Sequence, residues 1–394
     1  KKNRIDIITM GCSKNLIDSE RIIRRLHAKG YDAVHDSGNP EGEYVVVNTC
    51  GFIADAKEES IEMLLDLAKL KQEGKIGKIV AMGCLTQRYR EELTTELPEI
   101  DIMLGKFDWG NFIDSLPDLK DTAKPKQWER ELTTPPHSAY LKISEGCNRF
   151  CAFCAIPLIT GRHTSRTIEE ILEETESLVA KGVKEFNVIA QDLSSYGIDI
   201  YGSHKLAELI DRMAGIKGVE WIRLHYAYPA DFPFDILDVM ARHENVCKYI
   251  DIALQHVSDK VLNNMRRHIT KEETISLIAE MRKRVPDIRI RTTLMVGFPG
   301  EGEEEFQELL DFVRTQKFDR MGAFAYSEED DTWAEKNLKD LIPEETKQKR
   351  LDLLMEAQMT IYEEKNAEMY GKEVTLLVDE TEGDTRICRS QWDS

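Results

Sequence analysis

The pattern that most restricts this fold is an alternation of short apolar runs with amphipathic stretches, repeated along most of the chain. Up to about residue 115 it predicts strands at 5–9, 44–47, 78–82 and 100–104. Helices are predicted between them at 18–29 (stopped by Gly30), 54–71 and 87–97. Strands separated by helices pair in parallel, because a parallel neighbour is reached only through a crossover. Residues 1–116 are therefore expected to form an open parallel α/β sheet of the Rossmann or flavodoxin type. Residues 117–136 are rich in Pro, Lys, Asp and Thr and read as a linker.

A second alternation then begins. Strands are predicted at 139–143, 186–190, 221–225, 249–254, 289–296 and 322–326, with helical spans such as 168–181, 205–214 and 271–284. Six βα units predict a partial TIM-type (β/α)6 barrel over residues 137–342. A charged connecting helix follows over 343–370. Residues 371–394 change character, with strands at 373–378 and 385–389 around Glu382-Gly-Asp384. A two-stranded piece is marginal alone, so this segment reads as a small β-domain cut short.

Six of the eight cysteines fall into two groups. Cys147, Cys151 and Cys154 stand in Glu145-Gly-Cys-Asn-Arg-Phe-Cys-Ala-Phe-Cys-Ala-Ile-Pro157, spaced by three residues and then two. Three thiolates can hold three irons of a cubane and leave the fourth iron open for chemistry. The usual cofactor at such an iron is S-adenosylmethionine, and the usual chemistry is radical. A zinc knuckle would need a second Cys pair or a close histidine, and His163 lies beyond Pro157 and Gly161.

The other three follow successive strands: Cys12 in Thr-Met-Gly-Cys, Cys50 in Val-Asn-Thr-Cys and Cys84 in Ala-Met-Gly-Cys. The carboxyl ends of parallel strands share one edge, where ligands bind. A second three-thiolate site is expected there. Zinc with three thiolates and a water is an alternative that the residues alone do not separate from iron–sulfur. Cys247 and Cys388 have no partner at useful spacing and read as packing residues.

Composition narrows the partners. At 394 residues, 41% of them hydrophobic, two or three domains are expected. No apolar run reaches the roughly 20 residues of a membrane span. No leader-like segment is recognisable, and sparse, clustered cysteines fit a reducing compartment, so a cytoplasmic protein without membrane association is expected. A formal charge of −19 disfavours a polyanion such as RNA and favours a basic protein partner.

The Cys-x-x-x-Cys-x-x-Cys loop after a first barrel strand resembles the radical S-adenosylmethionine superfamily. With the three strand-end cysteines added, the chain resembles the methylthiotransferases of that superfamily over essentially its whole length. That resemblance implies two [4Fe-4S] clusters, S-adenosyl-L-methionine, a radical SAM barrel and a C-terminal TRAM β-barrel, here incomplete. Within the family, Gly11-Cys-Ser-Lys-Asn-Leu-Ile-Asp-Ser-Glu20 and Cys151-Ala-Phe-Cys-Ala-Ile-Pro-Leu-Ile-Thr-Gly-Arg162 resemble the branch that modifies an aspartate of small-subunit ribosomal protein twelve. The tRNA adenosine branch is the alternative; it has Gln and Met in place of Ser13 and Lys14. Residues 371–394 carry three basic against six acidic side chains, which favours the basic ribosomal protein and makes tRNA unlikely.

The resemblance also implies roles. Cys147, Cys151 and Cys154 ligate the cluster that cleaves S-adenosylmethionine to a 5′-deoxyadenosyl radical, which takes hydrogen from the aspartate β-carbon. Cys12, Cys50 and Cys84 ligate the auxiliary cluster that binds or donates sulfur, and a second S-adenosylmethionine methylates that sulfur. An electron donor and a sulfur donor are implied partners. Phe153 is expected against the adenine, Gln191 and Gln255 at barrel strand ends as cofactor-binding groups, and Arg291 toward the cofactor carboxylate. The glycines of Gly297-Phe-Pro-Gly300 are expected to admit the nucleoside. Where the family reads Tyr-Ser-x-Glu-x-Gly-Thr, this chain has Tyr326-Ser-Glu-Glu-Asp-Asp331-Thr332, with Asp331 at the glycine.

Overall fold

The computed structural model describes residues 1–393, which divide into two compact units. Unit 1 comprises residues 1–134 and 155–161; unit 2 comprises 135–154 and 162 onward.

Unit 1 is a five-stranded sheet of β1 (Arg4–Thr9), β2 (Asp32–His35), β3 (Tyr44–Thr49), β4 (Lys78–Gly83) and β5 (Ile102–Met103), in the order β2-β1-β3-β4-β5. Every pairing is parallel. This is the flavodoxin-like order, with its switch point at β1 and β3. Alternate residues point to opposite faces, so the sheet buries apolar side chains on both. Ile5, Ile7, Val46 and Val80 pack with Ile22 and Leu26 of the helix Ser13–Lys29 and with Phe112. Val45, Val47, Ile79 and Ala81 pack with Leu64 and Leu67 of the helix Ala54–Gln72. Gly30 ends the first helix at φ +93°, and the Gly30 and Tyr31 amides donate to the His27 and Leu26 carbonyls.

Three sequence expectations change here. The four-residue edge strand β2 was not foreseen, being too short and polar to show a period. The first helix begins at Ser13, not at 18. The helix expected at 87–97 is two, Cys84–Arg88 and Arg90–Glu96, broken at Tyr89. The stretch read as a linker also packs onto unit 1: Arg130 is buried with Glu20 at 2.5 Å, and Trp128 is buried.

Unit 2 is a six-stranded parallel sheet. Its first strand is β6 (Ser138–Lys142). A two-residue antiparallel ladder of β7 (Ser144–Glu145) and β8 (Thr164–Ser165) then clamps the two ends of the cysteine loop. The sheet continues with β9 (Glu185–Ile189), β10 (Trp221–Ala227), β11 (Val246–Gln255), β12 (Arg289–Val296) and β13 (Arg320–Ala325). Neighbours follow chain order from β6 to β13, the order of a βα barrel sector and not of a doubly wound sheet. The helix Glu344–Ala367 packs against β13, burying Leu354 and Ile361.

The last elements, β14 (Leu376–Glu382) and β15 (Thr385–Ser390), form a two-stranded antiparallel ribbon; the described residues contain no further barrel strand in this segment. Arg389 bridges Glu185 and Asp379, each at 2.6 Å, and Arg223 reaches Glu185 at 2.9 Å. Burial alone would raise the Glu185 carboxyl; the two guanidiniums hold it below the ordinary carboxylate range. Asp393 pairs with Arg320 at 2.8 Å. Arg389, Asp379 and Asp393 thus serve docking within unit 2, so the charge count of this segment overstates what it offers a partner. Among the described residues no helix is long and apolar enough to cross a membrane.

Candidate functional site

In unit 1 the three strand-end cysteines come from adjacent strands. Cys12 follows β1 and is the N-terminal cap of the helix Ser13–Lys29. Cys50 follows β3, and Cys84 opens the helix Cys84–Arg88 directly after β4. Because β1, β3 and β4 are neighbours, residues far apart in sequence share one carboxyl edge. Exposed amides at helix starts favour negative charge, which suits thiolates.

The glycines beside these cysteines explain how close the strand ends come. Gly11 has φ +84°, and a Cβ there would stand 2.7 Å from the Cys50 Sγ. A Cβ on Gly51 would meet the Leu85 amide nitrogen at 2.5 Å, and one on Gly83 the Thr49 carbonyl at 2.4 Å. Gly11→Ala is expected to lower the unfolding free energy by about 1–3 kcal/mol, through the left-handed backbone and the clash together. Gly38→Ala is the control, with φ +67° and nothing within 4 Å. Urea unfolding should show the smaller loss for Gly38→Ala.

Asn15 ties this edge together. Its amide donates to the Met10 and Thr49 carbonyls, each at 3.1 Å. Its Oδ1 accepts from Lys106 at 3.2 Å and lies 3.7 Å from the Cys84 Sγ. Lys106 is buried and also meets Asp18. Burial pushes the Cys50 thiol up, while the Lys106 charge opposes that shift. Lys106 was missed in the sequence, yet it follows β5 as the cysteines follow β1, β3 and β4; the same strand-end logic would have found it. Cys84 also packs with Ala155 and Ile159 of unit 1.

In unit 2 the loop after Gly146 carries the other trio. Gly146, just before Cys147, and Phe150, just before Cys151, take left-handed φ values of +79° and +49°, which turn the chain tightly into each cysteine. The Cys154 amide donates to the Cys151 carbonyl at 3.0 Å. The Arg149 amide lies 3.5 Å from Cys147 Sγ, and the Arg267 guanidinium donates to Cys151 Sγ at 3.2 Å. Burial pushes the Cys147 thiol up to about 12, so ligand binding there must displace a proton.

The other expected site residues are distributed differently. Phe153 is half-buried and meets Phe298 edge-on at 6.1 Å, beside Tyr326. Gln191 donates to Glu145, and its own Oε1 is buried without a partner. Gln255 ends β11 at φ +70°, and its Oε1 is likewise buried and unpaired. These two carbonyl oxygens at carboxyl strand ends are acceptors awaiting a donor. Arg291 sits in the first half of β12, with its charge met by Asp251 at 2.9 Å.

Packing and backbone geometry account for the two loops singled out in the sequence. A Cβ on Gly297 would meet Lys347 at 2.4 Å, and one on Gly300 the Asn264 amide at 2.3 Å, so packing already requires both glycines. Asp331 adopts φ +63°, so the turn expected to need glycine is kept by a residue type that tolerates the left-handed region.

Both trios offer the thiols that iron–sulfur clusters take, at a loop and at a sheet edge, with N–H donors aimed at sulfur from Arg149 and Arg267 at the loop and from the Gly51 and Phe52 backbone at Cys50. Among the described residues no three His, Cys, Asp or Glu side chains converge on the position of one metal ion. A cubane takes one thiolate per iron, so its ligands stand farther apart than those of a single ion.

Comparison with known proteins covers both units. Residues 141–313 match the Radical SAM superfamily, and residues 4–105 match the family described as "Uncharacterized protein family UPF0004". The protein called ribosomal protein uS12 methylthiotransferase RimO from Phocaeicola vulgatus is 57% identical, over 100% of this chain and 91% of its own length. The protein of the same name from Bacteroides thetaiotaomicron is 56% identical over 100% of this chain and 90% of its own. That from Christiangramia forsetii is 46% identical over 100% and 86%. Among solved structures, the radical S-adenosylmethionine methyltransferase TsrM from Kitasatospora setae aligns with TM-score 0.61 at 14% identity, covering 82% of this chain and 72% of that one. The cobalamin-dependent radical enzyme OxsB aligns with TM-score 0.57 at 13% identity, covering 88% and 56%. These two establish likeness of fold alone.

Proposed function

Because the chain belongs to the RimO family of radical S-adenosylmethionine methylthiotransferases, we propose that it inserts a methylthio group at the β-carbon of an aspartate in small-subunit ribosomal protein uS12. The observation that carries this reading is the full-length likeness to proteins of that name, at 46–57% identity. The two cysteine trios, each at carboxyl strand ends, support it.

In this reading each trio holds one [4Fe-4S] cluster. When bound, the clusters supply the electron that cleaves S-adenosylmethionine and the site from which sulfur enters the opened C–H bond. The chain's own residues do the rest. Cys147, Cys151 and Cys154 fix the first cluster in a loop clamped by β7 and β8. Gln191 and Gln255 offer their unpaired carbonyl oxygens to the amino group or ribose of the cofactor, and Phe153 offers a ring face to the adenine. Arg291 holds its charge against Asp251 and is the weakest of the expected cofactor contacts. Cys12, Cys50 and Cys84 fix the second cluster, with Lys106 and Asn15 behind them. In this reading the ribbon β14–β15 belongs to the TRAM domain. An aspartate β-carbon has no acidic proton within reach of a side-chain base, which is why radical chemistry is required.

The acidic chain suits a basic ribosomal protein in the cytoplasm, with separate donors of electrons and sulfur. The test compares a uS12 peptide with tRNA under anaerobic turnover by mass spectrometry. The expected outcome is a gain of one CH2S on the peptide aspartate. The same gain on a tRNA adenosine, with none on the peptide, would overturn the proposal in favour of the tRNA branch.

A further inference from the structure

Arg267 is buried, and its surroundings lack the partner a buried cation ordinarily has. Its side chain reaches the Ala253 carbonyl and Cys151 Sγ, the latter at 3.2 Å, and its Nε has no partner. Among the described residues no carboxylate forms an ion pair with it. A buried charge is retained only when paired, and the one group beside Arg267 able to carry negative charge in a hydrogen-bonded geometry is the Cys151 sulfur.

The site is built to aim this guanidinium. Arg267 lies just past the helix Asp259–Asn264, between Arg266 at φ +57° and His268 at φ +55°. Two left-handed non-glycine residues on either side of one arginine mark a backbone bent to direct it inward. The guanidinium stacks on the Tyr228 ring at 4.1 Å, and Arg149 stacks at 4.3 Å. The Tyr228 hydroxyl donates to the Arg267 carbonyl at 2.9 Å and lies 3.5 Å from Cys151 Sγ. The two arginines differ in employment. The Arg149 side chain is taken up by Asp192 at 2.7 Å, Asp231 at 3.0 Å and Ser195 at 3.2 Å, while that of Arg267 is turned to sulfur.

We propose that Arg267 is a positioning residue for the radical site, whose buried guanidinium holds the Cys151 thiolate in place and eases reduction of the cluster ligated there. This rests on the reading that Cys147, Cys151 and Cys154 ligate an iron–sulfur cluster. The direction follows from charge: reduction adds one negative charge to the cluster, and a fixed cation at a ligand sulfur in a low-dielectric pocket stabilises the more negative state. No atom is transferred; the electron comes from the external donor that the reaction already requires.

The test uses the full chain reconstituted anaerobically with iron and sulfide, and follows the paramagnetic signal of the reduced cluster that S-adenosylmethionine perturbs. Arg267→Gln is expected to lower the ratio of reduced to oxidised cluster at a given potential about tenfold, a shift of about 59 mV for one electron. Arg267→Lys, which keeps the charge, should recover most of that shift. Arg149→Gln should move the potential far less, although its charge is equally close to Tyr228. Should Arg267→Gln fail to fold, the unmutated protein decides the matter. With arginine labelled by nitrogen-15 at the guanidino nitrogens only, pulsed paramagnetic resonance should detect a nitrogen-15 coupling to the reduced cluster. An unshifted potential in Arg267→Gln, or no such coupling, would overturn the proposal. Failure of the unmutated protein to take up a cofactor-responsive cluster would instead count against the cluster assignment beneath it.

Discussion

Cys151→Ala is expected to eliminate reductive cleavage of S-adenosylmethionine, with 5′-deoxyadenosine falling by at least about 10⁴-fold, the scale seen when one member of a cooperative catalytic set is removed. Anaerobic incubation with dithionite and chromatography of the nucleoside products measures it directly. Cys151 also accepts a hydrogen bond from Arg267, so alanine leaves a buried guanidinium short of a partner. That loss is expected to cost about 1–3 kcal/mol of stability on its own. Cys151→Ser separates the two effects. The serine oxygen still accepts from Arg267, so stability in urea should be largely recovered, while a hydroxyl in place of the thiolate should leave cleavage as low as in Cys151→Ala. Persistence of 5′-deoxyadenosine formation in the serine variant would contradict the assignment of Cys151 as a ligand.

Cys50→Ala is expected to do something different. Cys50 lies in unit 1, with its side chain against Gly11 and its backbone N–H and carbonyl both bonded to the Ser60 hydroxyl at 3.0 Å. Cleavage of S-adenosylmethionine should remain within about twofold of the unaltered protein, since Cys147, Cys151 and Cys154, the thiols assigned to the cleaving cluster, are all kept. Methylthiolation of the uS12 peptide should fall below detection. The single measurement is mass spectrometry of peptide and nucleoside from the same reaction. Unchanged methylthiolation would remove Cys50 from the sulfur site. Loss of both products would mean that Cys50 supports the fold and not the sulfur chemistry. Since the Ser60 hydroxyl bonds only to the Cys50 backbone, that network survives the substitution, and unfolding in urea should report a change of about 1 kcal/mol or less.

Much of this architecture is legible in the chain because parallel α/β folds advertise themselves locally. Strand β12 was readable to the residue, since its β-branched and apolar positions, Ile290, Thr292, Thr293 and Leu294-Met-Val296, are closed by Gly297. Strand β2 was not readable, because Asp32-Ala-Val-His35 is a four-residue edge whose pairing partner, β1, supplies its reason to exist. The segment 117–136 looked like a tether because composition records polarity and not destination. Its Arg130 is in fact committed to Glu20, more than a hundred residues away, and both are buried.

The functional residues divide along the same line. Cysteines are rare and chemically specific, so spacing alone marked both trios. Arginines, tyrosines and lysines are common, and their roles depend on what they face. Nothing in the run Met265-Arg-Arg-His268 distinguishes Arg267 from Arg266, yet the structure buries the first against Cys151 and places the second over Trp333 at 5.2 Å. Arg291, chosen in the sequence as a carboxylate binder, already has a carboxylate in Asp251 on the neighbouring strand.

By itself the sequence determined the chemistry available: three thiols in one loop, three more at the ends of successive strands, and glycines beside them. Those are local properties, set by spacing along the chain and by the two-residue period of a strand. Only the tertiary structure decided which strand lies next to which, so that Cys50 closes against Gly11 across the β1–β3 pair, and which buried cation is aimed at Cys151. Strand order and charge burial arise from contacts between residues tens to hundreds of positions apart, and no local pattern encodes them.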